Sequence, residues 1–197
     1  MLTPSHVSSA RARGFSLVEL MVAMALGLIV IGAVIALVLS MMRANNQTIS
    51  ATRLTQELRA VAALMAADIR RAGSVQDPLT AATADAGDPE NPYATVSTGT
   101  AGCIRYGYAD AEGGDYHSIF LSGGAVYLKA SGTQANADCS AGSGDPALSS
   151  PQVTVTALTF SQTGRRIDIT LAGRLTNNAD ITRSYTQSVF VRSVPGT

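Results

Sequence analysis

The chain has 197 residues, and its 14 Lys+Arg side chains balance its 14 Asp+Glu side chains. This balance leaves no net field that would select nucleic acid or an anionic surface, so the sequence predicts no nucleic-acid partner. Charged residues make up only 14% of the chain, against roughly 25% in a typical soluble domain.

The first element is a short basic segment followed by an apolar helix. Residues 11–20 read RARGFSLVEL, with two arginines, a glycine before an aromatic residue, and one carboxylate, Glu19. The 20 residues Leu20–Leu39, which begin at the end of this stretch, are uncharged. As a helix this run is about 30 Å long, which matches the hydrocarbon thickness of a bilayer. The preceding arginines predict a cytoplasmic N-terminus and an exported C-terminal domain.

Two simpler interpretations of this segment stay open. A cleaved secretory signal has an apolar region of roughly 7–15 residues, whereas this run is longer and no convincing A-x-A cleavage site follows it. An interfacial carboxylate without a role is the alternative for Glu19, because a carboxylate in lipid needs a partner or an interfacial position.

The helix is predicted to continue beyond the apolar run, because residues 43–72 contain no Pro or Gly. A single apolar stripe runs along it, formed by Leu54, Leu58, Val61, Met65 and Ile69. Gly73 can supply a left-handed cap after the last turn. We therefore predict one helix over residues 15–72, transmembrane over about 17–39 and amphipathic over about 43–72.

Residues 73–197 are predicted to form an exported β-rich domain. Strand-like runs begin at Cys103, Tyr116, Gly124, Val153, Arg165 and Tyr185, and Gly-Gly or Asn-Asn turn signals separate several of them. Hairpins over 116–130 and 165–193 predict an antiparallel sheet packed on the helix stripe. Segments 74–100 and 131–152 are predicted as extended loops. The predicted fold class is α+β, with a long N-terminal helix packed on an antiparallel β-sheet domain.

Cys103 and Cys139 both follow the apolar run, so they are expected in one oxidising compartment. A disulfide between them would close a loop of about 37 residues and contribute about 4 kcal/mol by loop entropy. Two free thiols are the alternative.

The sequence contains no recognisable catalytic constellation. Of its two histidines, His6 lies in the N-terminal segment before the apolar run, and His117 lies in a predicted strand without a nucleophile at a recognisable spacing. No P-loop, Rossmann fingerprint, HExxH or CxxC motif is present. We therefore predict no enzymatic activity and no cofactor.

Two weak signals in the sequence are interpreted as structural. Asp85, Asp88 and Glu90 could hold Ca²⁺ weakly, but their spacing is not that of an EF-hand loop, and a solvated acidic loop is favoured. Asn46 begins a formal glycosylation sequon but lies on the predicted helix. The sequence therefore predicts no metal site.

Residues 14–20, Gly-Phe-Ser-Leu-Val-Glu-Leu, followed by the apolar run resemble the class III signal of type IV pilins and type II secretion pseudopilins. The stretch LMAADIRRAG at 64–73 and the later stretches VTALTF, RRIDITLAGRL and VFVRS resemble the PilW family of minor pilins. The resemblance is close over residues 11–73 and looser over 153–193. The fold it implies is pilin-like.

The resemblance implies roles for three residues. A membrane prepilin peptidase would remove the leader, residues 1–14, by cutting after Gly14, and would N-methylate Phe15. A glycine lets a protease approach the backbone closely. Glu19 would pair with the new α-ammonium group of Phe15 on a neighbouring subunit during assembly. Major pilins often carry a proline where this chain has Ala36, so unwinding of the helix there is not implied.

The implied function is that of a minor pilin of a type IV pilus, in a tip complex that primes pilus assembly. The implied partners are the prepilin peptidase, other minor pilins and the major pilin. The implied location is the bacterial inner membrane, crossed once, with a periplasmic C-terminal domain that becomes part of the pilus. A type II secretion pseudopilin and a membrane-anchored exported enzyme are the alternatives.

Overall fold

The computed structural model describes residues 14–76, 91–113 and 115–191. These residues form one long helix, α1 (Leu17–Ile69), and six strands: β1 (Cys103–Gly107), β2 (Tyr116–Ser122), β3 (Ala125–Ser131), β4 (Val153–Thr163), β5 (Arg166–Leu175) and β6 (Asn178–Phe190). The chain divides into two compact units, Met1–Asn46 and Gln47–Thr197. The predicted α+β, pilin-like layout is confirmed.

Helix α1 is shorter at both ends than the predicted 15–72. It begins after Ser16, whose carbonyl accepts the N–H of Leu20 (3.1 Å). It ends at Ile69 because the next bonds, from Arg71 to Asp68 and from Ala72 to Ile69, span three residues instead of four. Gly73 follows with a φ of 77°, which is the left-handed cap expected for a glycine at this position.

The amphipathic stripe of α1 forms the centre of the second unit. All five stripe residues predicted from the sequence are buried, and each such side chain contributes about 1.5–3 kcal/mol by leaving water. Ala62 and Ala66 are buried between them, and their small side chains let the sheets approach the helix closely. These residues share one core with apolar side chains from β1 to β6.

The first sheet has the antiparallel order β1-β2-β3. Its β2–β3 hairpin matches the predicted one over 116–130, with Ser122 opposite Ala125 beside the turn. Ile104 and Ile119 are opposite each other and fully buried in the core. One face of this sheet therefore packs into the shared core.

The second sheet has the antiparallel order β4-β5-β6, and its β5–β6 hairpin matches the one predicted over 165–193. Ile167, Ile169 and Leu171 are buried and alternate with half-buried polar neighbours, as predicted for β5. Gly173 continues the buried face, and a Cβ there would lie 3.2 Å from the Leu58 side chain. A glycine at this position therefore permits close contact between helix and sheet.

The strands form two sheets, where the sequence suggested a single one. The outer edge of β3 is occupied by the chain's own residues 146–148, through bonds from Leu128 to Pro146 and from Leu148 to Val126. β4 therefore cannot extend the first sheet. It is linked to that sheet by a backbone bond from Val155 to Gly124 (2.8 Å).

Candidate functional site

The segment around Gly14 is accessible in the structure. Gly14, Phe15 and Ser16 precede α1 and have no regular secondary structure. Among the residues that the structure describes, apart from Gly14 and its chain neighbours, no heavy atom lies within 4 Å of the position that a Cβ on Gly14 would occupy. Phe15 is 83% exposed. The backbone between Gly14 and Phe15 can therefore be approached by another protein. The predicted leader before Gly14 lies outside the described residues.

Glu19 lies in the first turn of α1, four residues after Phe15. At a rise of 1.5 Å per residue, this spacing corresponds to about 6 Å along the helix axis. The partial positive charge at a helix N-terminus favours a carboxylate there. In the described part of the chain, no side chain forms an ion pair with Glu19. Any cationic partner must therefore come from another group or another molecule.

The first unit exposes an unusually apolar helix surface. Every residue from Gly14 to Asn46 is exposed, including the large apolar side chains from Leu17 to Met42. Among the described helices, α1 is long and apolar enough to cross a membrane. An exposed surface of this kind requires lipid or other apolar helices around it.

Cys103 and Cys139 are joined by a disulfide in the structure, with their Cα atoms 6.0 Å apart. The bond holds the loop after β3 across the face of the first sheet that carries Arg105, Ser118 and Lys129. Ser118 donates to the carbonyl of Asp138 (2.7 Å), and Lys129 donates to the carboxylate of the same residue (2.7 Å). The hydrogen bond from Lys129 lowers the pKa of Asp138 to about 2.

This loop also provides hydrogen-bond acceptors for the side chain of Arg105. Its guanidinium donates to the carbonyls of Gln134 and Ala137. The disulfide and these hydrogen bonds come from all three strands of the sheet, so they fix the loop as a lid on its outer face.

A polar cluster lies where α1 ends against the first sheet. Asp68 accepts hydrogen bonds from the hydroxyls of Tyr106 and Tyr108, the latter at 2.8 Å. Arg71 lies within 4.0 Å of the Asp68 carboxylate, and its guanidinium lies 4.0 Å from the centre of the Tyr108 ring. Burial, followed by the charge of Asp68, raises the pKa of both tyrosines. The cluster thus ties the last turn of α1 to β1.

His117 completes this cluster from β2. Its ring stacks on Tyr108 at 4.1 Å and on Tyr106 at 5.7 Å. The side chain is buried, and neither ring nitrogen has a hydrogen-bond partner in the described structure. Nδ1 lies 4.0 Å from Asp68, too far for a hydrogen bond. Burial lowers the pKa of His117 below its ordinary value of 6.5, against the opposing charge of Asp68.

The sequence alone did not predict this cluster, because Asp68 is 38 residues from Tyr106 and 40 residues from Tyr108 along the chain. One local signal was present: Tyr106 and Tyr108 are spaced two apart and therefore project from the same face of an extended segment. A carboxylate at the end of the buried stripe, Asp68, was the matching signal on α1.

A cavity of about 770 Å³ lies between residues 50–60 of α1 and the start of β4. Its lining includes Arg53, Gln56, Glu57 and Asn178, and the carboxylate of Glu57 accepts the backbone N–H of Ser150 (2.8 Å). This lining contains hydrogen-bonding groups but no nucleophile paired with a base.

Within residues 14–76, 91–113 and 115–191, no group of three or more His, Cys, Asp or Glu side chains could hold a metal ion. The acidic residues Asp85, Asp88 and Glu90 lie outside the described residues. Asn46, the sequon asparagine, lies within α1.

Two protein-family models match the chain. The model described as "Prepilin peptidase-dependent protein B" matches residues 47–191. The model described as "Prokaryotic N-terminal methylation motif" matches residues 9–35, which include Gly14, Phe15 and Glu19. The first match covers most of the second unit, and the second covers the segment before α1 and its apolar beginning. No curated protein and no solved structure matches the chain.

Proposed function

Because the chain belongs to the prepilin peptidase-dependent protein B family, we propose that it is a minor pilin, a PilW-like subunit of a tip complex that primes type IV pilus assembly. One observation carries the proposal. An accessible Gly14–Phe15 bond precedes the exposed apolar part of α1, residues 17–42, whose single carboxylate, Glu19, lies in the first turn.

In the proposed maturation, the prepilin peptidase cuts after Gly14 and methylates the new N-terminus of Phe15. The open space around Gly14 supports this step, because a protease must reach both sides of the bond that it cuts. Cleavage outside the helix leaves α1 intact, so the mature chain retains its membrane anchor. The anchor holds the protein in the inner membrane with residues 47–191 in the periplasm.

In the proposed assembly, Glu19 pairs with the Phe15 ammonium group of a neighbouring subunit. The exposed apolar side chains of α1 would pack against other pilin helices, which lowers the dielectric around the carboxylate. The absence of any partner for Glu19 in the described part of the chain supports pairing with another subunit. The role of the protein is therefore structural, with no catalytic step of its own.

Mass spectrometry of the protein from cells that contain an active prepilin peptidase tests the maturation step. The expected first residue is an N-methylated Phe15. A leader that stays intact in those cells would contradict the proposal.

Crosslinking to other minor pilins tests the role of Glu19. Glu19→Ala is expected to insert and to be processed normally, because the helix becomes more apolar and the cut site lies upstream. Association should weaken, since removing one partner of a buried pair costs about 3–5 kcal/mol. Glu19→Gln keeps the size of the side chain without its charge, so it should behave like Glu19→Ala.

Two results would count against this account. If both variants associate like the wild type, Glu19 is an interfacial residue without a role in assembly. If the crosslinked partners are pseudopilins of a secretion system, the proposed role of Glu19 in assembly is retained, but the protein belongs to a secretion system and not to a type IV pilus.

A further inference from the structure

The outer edge of β6 differs from the other sheet edges in the described structure. β1, β3 and β4 are the remaining edge strands. β1 and β3 form backbone hydrogen bonds to other segments on their outer sides, which join Arg105 to Ser97 and join Val126 and Leu128 to residues 146–148. β4 forms one bond to the first sheet, from Val155 to Gly124, and its edge is covered further along by Gly102, where a Cβ would lie 3.5 Å from the carbonyl oxygen of Leu158. Proteins commonly cover edges in this way, because an open edge invites pairing with another chain.

The direction of the backbone groups in β6 follows from one bond. The N–H of Val191 donates to the carbonyl of Arg165, on the β5 side (2.9 Å). Backbone groups alternate in direction along a strand, so the N–H and C=O groups of Ser184, Thr186, Ser188 and Phe190 point away from β5. No hydrogen bond to these groups occurs within the described residues.

The open part of the edge has a defined start. The guanidinium of Arg183 donates to the carbonyl of Thr182 (2.8 Å), which closes the edge at that residue. From Ser184 to Phe190 the sequence is SYTQSVF, without a charge, a proline or a bulge. Phe190, at the end of this stretch, is 62% exposed. None of the usual devices that prevent edge pairing is present in this stretch.

We propose that this edge pairs antiparallel with the same edge of a second copy of the chain. A strand edge offers alternating N–H and C=O groups, and another extended backbone is the surface that matches them. When two copies of the stretch from Ser184 to Phe190 pair antiparallel with Gln187 opposite Gln187, each of the seven residues lies opposite a residue of the other copy. The proposal does not depend on the role of the protein as a minor pilin.

The side chains support this register. Pairing about Gln187 places Tyr185 opposite Val189 of the second copy and Thr186 opposite Ser188 of the second copy. Aromatic residues paired with β-branched residues, and hydroxyl residues paired with each other, stabilise antiparallel strands. No like charges face each other in this register, because the stretch contains none.

A pairing of this length buries less surface than the roughly 1,000 Å² of a stable interface. We therefore expect a weak dimer whose population rises with protein concentration. Confinement of the chain to a membrane would raise its local concentration.

Disulfide crosslinking of the full chain in mild detergent tests the proposal. Gln187→Cys places a cysteine opposite itself at a non-hydrogen-bonded pair, where the Cα atoms of antiparallel strands are about 4.5 Å apart, within the range that a disulfide spans. Oxidation should give a covalent dimer in which the introduced thiols of the two copies are linked to each other, with the Cys103–Cys139 bond retained. Thr159→Cys, on the exposed face of β4, is the control for random contact.

A second variant separates edge pairing from other contacts. Thr186→Pro in the Gln187→Cys background removes an N–H that points away from β5, so the β5–β6 ladder keeps its bonds. The dimer yield should fall at least tenfold, to the level of the Thr159→Cys control. Thr186→Val keeps the N–H and should retain the yield. Near-UV circular dichroism and peptide mapping of Cys103–Cys139 verify that each variant is folded.

Three results would overturn the proposal. The first is a Gln187→Cys yield no higher than that of Thr159→Cys. The second is a folded Thr186→Pro variant that crosslinks as well as its parent. The third is crosslinking of Gln187→Cys in cells to a different protein and never to itself, which would assign the edge to another partner.

Discussion

Replacing Asp68 should destabilise the second unit more than any other single change at its polar cluster. The carboxylate accepts hydrogen bonds from Tyr106 and Tyr108, and the Tyr106 residue is only 3% exposed. Asp68→Ala leaves two hydroxyls without their acceptor. A hydrogen bond to a charged group contributes about 1.5–3 kcal/mol, so we expect a loss of about 3–5 kcal/mol in the free energy of unfolding.

Asp68→Asn is a milder variant, which removes the charge of the side chain but keeps its size. The amide keeps one acceptor oxygen of the carboxylate, but it has no charge to attract Arg71 and cannot accept at its nitrogen. We expect a loss of about 1.5–3 kcal/mol, between the wild type and Asp68→Ala. Tyr106→Phe removes one donor and leaves the ring in place for stacking on His117.

Urea titration of the full chain in a mild detergent measures these losses. The chain has no tryptophan, so near-UV circular dichroism reports the packing of its tyrosines. The double variant Asp68→Ala with Tyr106→Phe should lose less than the sum of the two single losses, because both remove the same hydrogen bond. A loss below about 0.5 kcal/mol for Asp68→Ala, or strict additivity with Tyr106→Phe, would refute the reasoning, since distant sites add within that margin.

Three further predictions concern His117, the disulfide and the proposed cleavage site. Burial lowers the pKa of His117 from 6.5, so the unfolded chain binds the proton first as the pH falls. The free energy of unfolding should therefore be highest above pH 6.5. Below pH 6.5 it should decrease by up to about 1.4 kcal/mol per pH unit. Urea titrations between pH 7.5 and 5.5 measure this slope, which His117→Phe should reduce. Cys103→Ser should cost about 4 kcal/mol by the loop-entropy estimate and expose the loop after β3 to proteolysis. Two alkylatable thiols in the wild-type protein isolated from cells would contradict a native disulfide. Gly14→Val should leave the leader attached in a gel-shift assay, because a branched side chain hinders approach to the bond, whereas Gly14→Ala should be partly processed.

The features that sequence predicted well are those with local periodicity. The stripe from Leu54 to Ile69 has helical spacing, and Ile167, Ile169 and Leu171 alternate in β5, so both buried faces were predicted from neighbouring residues alone. The first half of β6 was missed. Its residues 178–184, NADITRS, are mostly exposed at the edge of the sheet. Neither face of this part of the strand is buried, so its sequence lacks the alternation of apolar and polar residues that predicts a strand.

The contacts that sequence did not predict join distant segments. The Asp68 cluster combines the end of α1 with β1 and β2, and the division into two sheets depends on residues 146–148 occupying the edge of β3. Neither feature produces a periodic pattern of residue types in the sequence, so neither could be predicted from it. The segment from Gly14 to Glu19 was the opposite case, because its motif is contiguous and the structure leaves all of it exposed.

The single carboxylate of the apolar helix has a specific consequence for the proposed assembly. From Gly14 to Met42, Glu19 is the only ionisable side chain, and the remaining exposed surface of this segment is almost uniformly apolar. Burial of apolar surface stabilises helix packing but is non-directional, so it scarcely distinguishes one axial offset between helices from another. An unpaired carboxylate in the same surroundings costs several kcal/mol, and it finds its ammonium partner at one offset. The apolar side chains would thus provide most of the free energy of packing, and Glu19 would determine the register in which the subunits pack.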